Sequence, residues 1–170
     1  GSSRGIGEAI AIEFAKAGYD VVINSRDAEE LSISKQEIMK VADSATNVLE
    51  FAGDISIEQI CIGTVEAAMK KFGRIDVLVN NAGISGAEKK SHEIKSDEWE
   101  EVIDINLKGC FMCSREVIKK MLEQREKEAA SYYSIINISS VHETTPMPFA
   151  APYAASKGGM EMLRKIMALE

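Results

Sequence analysis

The sequence predicts an α/β fold, a doubly wound parallel sheet with helices on both faces. Three observations carry that prediction. Short β-branched runs alternate with stretches of helical period, a glycine-rich string opens a helix, and polar pairs recur where the strands end. The string is Gly1-Ser2-Ser3-Arg4-Gly5-Ile6-Gly7. From Ile6 the apolar positions Ile10, Phe14 and Ala15 fall at helical spacing, and Gly18 stops the run. Val21-Val22-Ile23 reads as a strand buried on both faces. Residues 27 to about 42 form a helix, residues 47–51 a strand, residues 57–72 a helix and residues 76–80 a strand. A long helix then runs from a Ser96 cap to about Glu123, with Trp99, Ile103, Cys110, Cys113 and Val117 as its apolar stripe. Residues 134–138 are a strand, and the last helix starts near Pro152. Such alternation requires crossover connections, and hence parallel strands.

The 170 residues carry 20 Lys+Arg against 27 Asp+Glu, a net charge of −7. An acidic balance disfavours nucleic-acid and anionic-membrane partners, which demand clustered cations. No apolar run approaches the roughly 18 residues of a membrane span, and no secretory leader is seen. Three cysteines are too few for a disulfide framework. The expectation is a cytoplasmic protein. No initiator Met precedes Gly1, no strand precedes the glycine string, and Leu169-Glu170 interrupts an apolar helical pattern. Residues 1–170 are therefore expected to be a single domain, incomplete at both ends.

Four places carry candidate chemistry. Gly1, Gly5 and Gly7 sit where a turn opens a helix, so backbone N–H groups and the helix dipole can meet a phosphate. Ile10 stands where the common G-x-G-x-x-G fingerprint has its third glycine, and a plain tight turn explains the same residues. Asn80-Asn81-Ala82-Gly83 follows a strand at the sheet edge where ligands bind in open α/β folds. Ser139-Ser140 ends the next strand in the same way. Tyr153 and Lys157 are four apart on the last helix and share one face. A phenol is a poor acid or base at neutral pH, and an ammonium beside it favours the phenolate. The pair can then exchange a proton with a hydroxyl or carbonyl. Asn106 falls within the apolar stripe of the long helix, and a buried amide there needs partners. Cys110-Phe111-Met112-Cys113 has no second pair and only His92 and His142 for company, so no metal site is expected. A Ser-His-carboxylate triad fits no better, since no G-x-S-x-G elbow exists.

Taken together these motifs resemble the short-chain dehydrogenase/reductase family, with its Rossmann-type fold. The matches in order are Gly1/Gly5/Gly7, Asp54-Ile55 after the strand at residues 47–51, Asn80-Asn81-Ala82-Gly83, Asn106, and Ser140 with Tyr153 and Lys157. Ser140 and Tyr153 are 13 residues apart, as the family pattern expects. The resemblance implies that Tyr153 exchanges the proton and Lys157 assists it and holds the nicotinamide ribose. It implies that Ser140 bonds the reacting oxygen and Asn106 anchors a water-linked relay. Cofactor contacts are implied for Gly1, Ser3, Arg4, Gly5, Ile6, Gly7, Ser25, Arg26, Asp54, Ile55, Asn81, Ala82 and Gly83, beside Tyr153 and Lys157. The stretches 137–143 and 153–160 look most like glucose 1-dehydrogenases, with 3-oxoacyl-[acyl-carrier-protein] reductases as the rival. A non-catalytic dinucleotide-binding fragment is the third reading.

The cofactor expectation is NADP(H) preferred, with NAD(H) possible. No acid stands among Asn24, Ser25 and Arg26, while Asp27-Ala28-Glu29-Glu30 reads as a capping box that commits Asp27 to backbone N–H groups. Arg4 and Arg26 are then the cations for a 2′-phosphate. A small-molecule alcohol or carbonyl is the expected substrate. A homotetramer or homodimer is expected through the two longest helices. Gly158 and Gly159 cost about 1 kcal/mol each inside a helix, which suggests another backbone close by.

Overall fold

The computed structural model describes residues 1–170. Six helices and four strands alternate, except that α4 leads straight into α5 where the sequence predicts one long helix: α1 (Gly5–Lys16), β1 (Val21–Ser25), α2 (Ala28–Val41), β2 (Val48–Ala52), α3 (Glu58–Phe72), β3 (Val77–Asn80), α4 (Ser96–Ile103), α5 (Gly109–Lys127), β4 (Ser134–Asn137) and α6 (Ala151–Met167). Short 3-10 turns cover Ser91–Glu93 and Val141–Glu143. Helix ends follow local chemistry. Asp27 caps α2, its Oδ1 accepting from the N–H groups of Glu29 and Glu30 at 2.9 Å each. Gly73 ends α3 with φ +76°, a left-handed conformation that suits glycine. Ser96 is a correction: it is the first helical residue of α4, Lys95 stands at the cap, and the Lys95 N–H donates to Glu98 Oε2 at 3.0 Å.

All pairing is parallel. β1 pairs with β2, Val21 opposite Val48, and β3 pairs with β4, Val77 opposite Ser134. The two pairs do not join into one sheet. Between them lies a cavity of about 510 Å³, lined by Val21 and Val22 of β1, by Val77 and Val79 of β3, and by Ile10 and Phe14 of α1. Gly1 and Ser2 also line it, and both their backbone nitrogens donate to Asn24 O, at 2.7 and 2.8 Å. The core is correspondingly divided. Ala11, Ala15, Ile23, Leu31 and Ile38 pack α1 and α2 against β1, whereas Val65, Val117 and Met121 join α3 to α5. Gln124 ties α5 to the start of β3 through both backbone groups of Ile75, at 2.8 and 2.9 Å.

The long helix departs from the sequence expectation. It is broken by a π turn over Asp104–Lys108, where the Gly109 N–H reaches back five residues to Asp104 O. The extra residue rotates the faces of α4 and α5 relative to one another. Trp99 is therefore 39% exposed, although a straight helix would place it in the stripe. Asn106, Cys110 and Val117 of the expected stripe are buried, and Val102 and Ile105 join them.

Candidate active site

The carboxyl ends of the strands gather most of the expected residues. At the end of β1, the glycine turn closes tightly on the segment after β3. A Cβ on Gly7 would stand 1.8 Å from Gly1 O, and one on Gly1 would stand 2.8 Å from Ala82 Cα. Asn81 Nδ2 donates to Gly1 O at 2.7 Å. Gly5 differs from these two: its φ is +61° and open space lies where a Cβ would project. The first turn of α1 has no side-chain cap, so its leading N–H groups lack a side-chain acceptor. A dinucleotide's phosphates fit such a turn, because glycine leaves room for close backbone approach and the uncapped donors need an anion.

The flank of this turn is polar. Ser25 Oγ donates to Ser3 Oγ at 3.0 Å, and Ser3 Oγ lies 3.1 Å from Glu30 Oε2. Arg4 and Arg26 are paired here, which the sequence does not anticipate. Arg4 lies 3.6 Å from Glu30, and Arg26 lies 3.8 Å from Asp54. Asp54 also accepts from the Ser56 N–H at 2.9 Å, and Ile55 packs its Cδ1 where a Cβ on Gly109 would fall.

Across the cavity, Asn80 fixes the end of β3. Its Nδ2 donates to Ser114 Oγ and to Asn137 Oδ1, both at 2.9 Å. Of the two adjacent amides, Asn80 thus holds the strand end and Asn81 holds the glycine turn.

Asn106 is fully buried and makes three hydrogen bonds. Oδ1 accepts from the Ile84 N–H at 2.8 Å, while Nδ2 donates to Ile84 O at 2.9 Å and to Ser156 Oγ at 3.0 Å. Ser156 Oγ donates in turn to Tyr153 O at 2.7 Å. The loop after β3 is thereby tied to the turn of α6 that carries Tyr153 and Lys157. Gly83 belongs to the same cluster, since a Cβ there would meet Asn106 Oδ1 at 3.2 Å and Lys157 Nζ at 3.8 Å.

Lys157 is buried, and Nζ donates to Ile138 O at 2.7 Å. Burial holds its ammonium below the ordinary lysine pKa. Nζ lies 5.7 Å from the Tyr153 ring centroid, so the positive charge sits beside the phenol. Ser140, two residues past Ile138, caps the 3-10 turn by accepting the His142 N–H at 3.2 Å, which leaves its own proton free to donate. The His142 ring stands edge-on to Tyr153 at 6.4 Å and is held through Nδ1 by Thr145 O at 3.0 Å. Glu143, missed in the sequence, accepts from Ser139 Oγ at 2.5 Å and braces this segment. Cys110 and Cys113 do not pair with each other. Cys110 lies 3.6 Å from Asn137 Oδ1, and Cys113 meets Cys61.

The chain that carries this glycine turn and the Tyr153/Lys157 pair has known relatives. The short chain dehydrogenase family model matches residues 1–170. The chain belongs to that family. It is 40% identical over 173 residues to 3beta-hydroxysteroid dehydrogenase 1 of Eggerthella lenta, covering 100% of this chain and 62% of that protein. It is 34% identical over 169 residues to glucose 1-dehydrogenase 2 of Bacillus subtilis, covering 99% and 63%. The chain thus spans about three fifths of the length of these curated relatives. Among solved structures, a metagenomic short-chain oxidoreductase in complex with NADP superposes with a TM-score of 0.88 at 33% identity, covering 99% of this chain and 72% of that one. NAD+-bound xylitol dehydrogenase superposes with a TM-score of 0.90 at 28% identity, covering 99% and 61%.

Proposed function

We propose that residues 1–170 form a dinucleotide-binding and catalytic domain of an oxidoreductase that transfers a hydride between a nicotinamide cofactor and a secondary alcohol or its carbonyl. The observation that carries this reading is the Lys157 ammonium, anchored on Ile138 O with Tyr153 beside it and Ser140 two residues along. The nicotinamide, when bound, supplies or accepts the hydride. Tyr153 gives its phenolic proton to the carbonyl oxygen in reduction and takes the hydroxyl proton in oxidation. Lys157 stabilises the negative charge that develops there, more strongly for being out of water. The free Ser140 proton bonds the same oxygen. We read Asn106 as a positioning residue, since both its N–H groups are spent on Ile84 and Ser156. A relay water would find only the second lone pair of Oδ1 at this amide.

Two substrate readings have support. The motifs around Ser140 and Tyr153 and the 34% relative favour a sugar such as glucose. The 40% relative bears a hydroxysteroid name, and Val141, Met147 and Phe149 leave an exposed apolar flank between Ser140 and Tyr153. The test is a panel of glucose, a 3β-hydroxysteroid and a 3-oxoacyl thioester, each with both cofactors. Turnover of none of the three would return the chain to a non-catalytic binding role.

For the cofactor we propose NADP(H) over NAD(H). The Arg4 side chain is 83% exposed, so its pair with Glu30 is worth about 0–1 kcal/mol and yields easily to a doubly charged phosphate. Ser3, Ser25 and Arg26 complete the pocket, and Asp27 is held away by its cap. NADP is expected to match or exceed NAD in kcat/KM, and the double variant Arg4→Ala, Arg26→Asp should lose NADP activity by about tenfold or more. A wild-type preference for NAD above about tenfold would mean that Glu30 binds the ribose hydroxyl instead.

We also propose a homodimer or homotetramer through α5 and α6. The glycine pair no longer supports this, because Gly159 opens onto Leu107 and Gly158 onto Glu143 O of the same chain. The support comes from Phe111 and Leu122 on α5 and Met162 and Ile166 on α6, all exposed. Light scattering at micromolar concentration should return at least twice the monomer mass, and a monomer would refute it. No helix is long and apolar enough to cross a membrane, and three free cysteines suit the reducing cytoplasm.

A further inference from the structure

Cys61 on α3 and Cys113 on α5 bring their sulfurs to 3.3 Å across a helix interface, 52 residues apart in sequence. Neither belongs to the proton-transfer machinery, and neither binds a metal with its neighbours. Cys61 has no exposed surface and Cys113 is half-buried, so a small oxidant reaches the pair from the Cys113 side. A disulfide bond is about 2.05 Å long, so about 1.3 Å of sulfur movement would close the pair. We propose that Cys61 and Cys113 are a peroxide-sensitive thiol pair that closes to a disulfide between α3 and α5.

The Cys113 thiol donates to Cys61 and the Arg115 guanidinium adds positive charge, so the Cys61 thiol is held below the usual range against the opposing effect of burial. Cys113 is held far above it, because Cys61 keeps its proton in place and burial disfavours the thiolate. The sulfur that is ionised breaks the O–O bond of hydrogen peroxide, becoming a sulfenic acid and releasing hydroxide that is protonated to water. The other thiol then attacks that sulfur, forms the S–S bond and expels a second water with its own proton. Two thiols are oxidised by one peroxide, with two waters as the reduced product. Cys110 has no part in this. Burial pushes its thiol up to about 11, and its sulfur faces Asn137.

The test uses the purified protein and hydrogen peroxide, read by intact mass and by peptide mapping. A loss of two hydrogens is expected for most of the sample, with one cross-linked peptide joining Cys61 to Cys113 and full reversal by dithiothreitol. Cys110→Ser should behave as wild type, whereas Cys61→Ser and Cys113→Ser should form no intramolecular bridge. If all three thiols remain open to alkylation in unfolded, peroxide-treated protein, or if the bridge involves Cys110, the proposal is overturned. Because the readout is mass, the result does not depend on whether hydride transfer is observed.

Discussion

Tyr153→Phe is expected to lower kcat by about 10²-fold or more, the ordinary worth of a positioned general acid or base. Phenylalanine keeps the ring that stands edge-on to His142 and beside Lys157. It removes only the hydroxyl, so the fold and the cofactor contacts should survive. Lys157 in particular takes its place from Ile138 O and not from the phenol. Stopped turnover with cofactor affinity changed by less than about threefold, measured by fluorescence of the reduced nicotinamide, is the expected pattern. A variant that keeps more than about a tenth of wild-type kcat would show that another group moves the proton.

Asn106→Leu is expected to cost stability and activity together. Leucine fills a similar volume but satisfies none of the three bonds that the amide makes with Ile84 and Ser156. Each buried group left unpaired costs about 1–3 kcal/mol. Two backbone groups of Ile84 alone then remove roughly 2 kcal/mol or more from a total that is about 5–15 kcal/mol in ordinary domains. For a protein of this size, that is a fall in Tm of about 4 °C or more. The Ser156 bond is lost as well, and with it one restraint on the turn that holds Tyr153 and Lys157. Calorimetry beside kcat checks both halves. An unchanged Tm with lost activity would point to a direct part in proton transfer.

The features legible in the sequence are those fixed by near neighbours. The alternation of strands and helices, the Asp27 cap and the placement of Asn81 and Ser140 at strand ends each depend on a few consecutive residues. The features that escaped depend on residues far apart. Arg4 and Arg26 look like free cations until Glu30 and Asp54 are brought beside them by the packing of α2 and the loop after β2. Cys113 finds Cys61 through the contact of two helices, while Cys110, one turn away on the same helix, turns its sulfur to Asn137. Trp99 lies outside the stripe that its spacing implies, because 3.6-residue periodicity assumes one uninterrupted helix. Burial of Asn106 was legible from its stripe, but its partners on the loop after β3 and on α6 were not.

The π turn at Asp104–Lys108 also bears on how this segment tolerates insertion and deletion. Each residue of an α-helix turns the chain by about 100°, so the turn acts as a single inserted residue that resets the phase between α4 and α5. Excising one residue there would restore regular pairing and give a locally better helix. It would also swing Asn106 or the buried face of α5 out of register, breaking either the bonds to Ile84 and Ser156 or the packing of Val117 and Met121. Length in this stretch is therefore constrained more strongly than most of its side chains. Substitutions at exposed Glu100, Glu101 or Lys108 leave that phase intact, whereas loss of one codon between them would not.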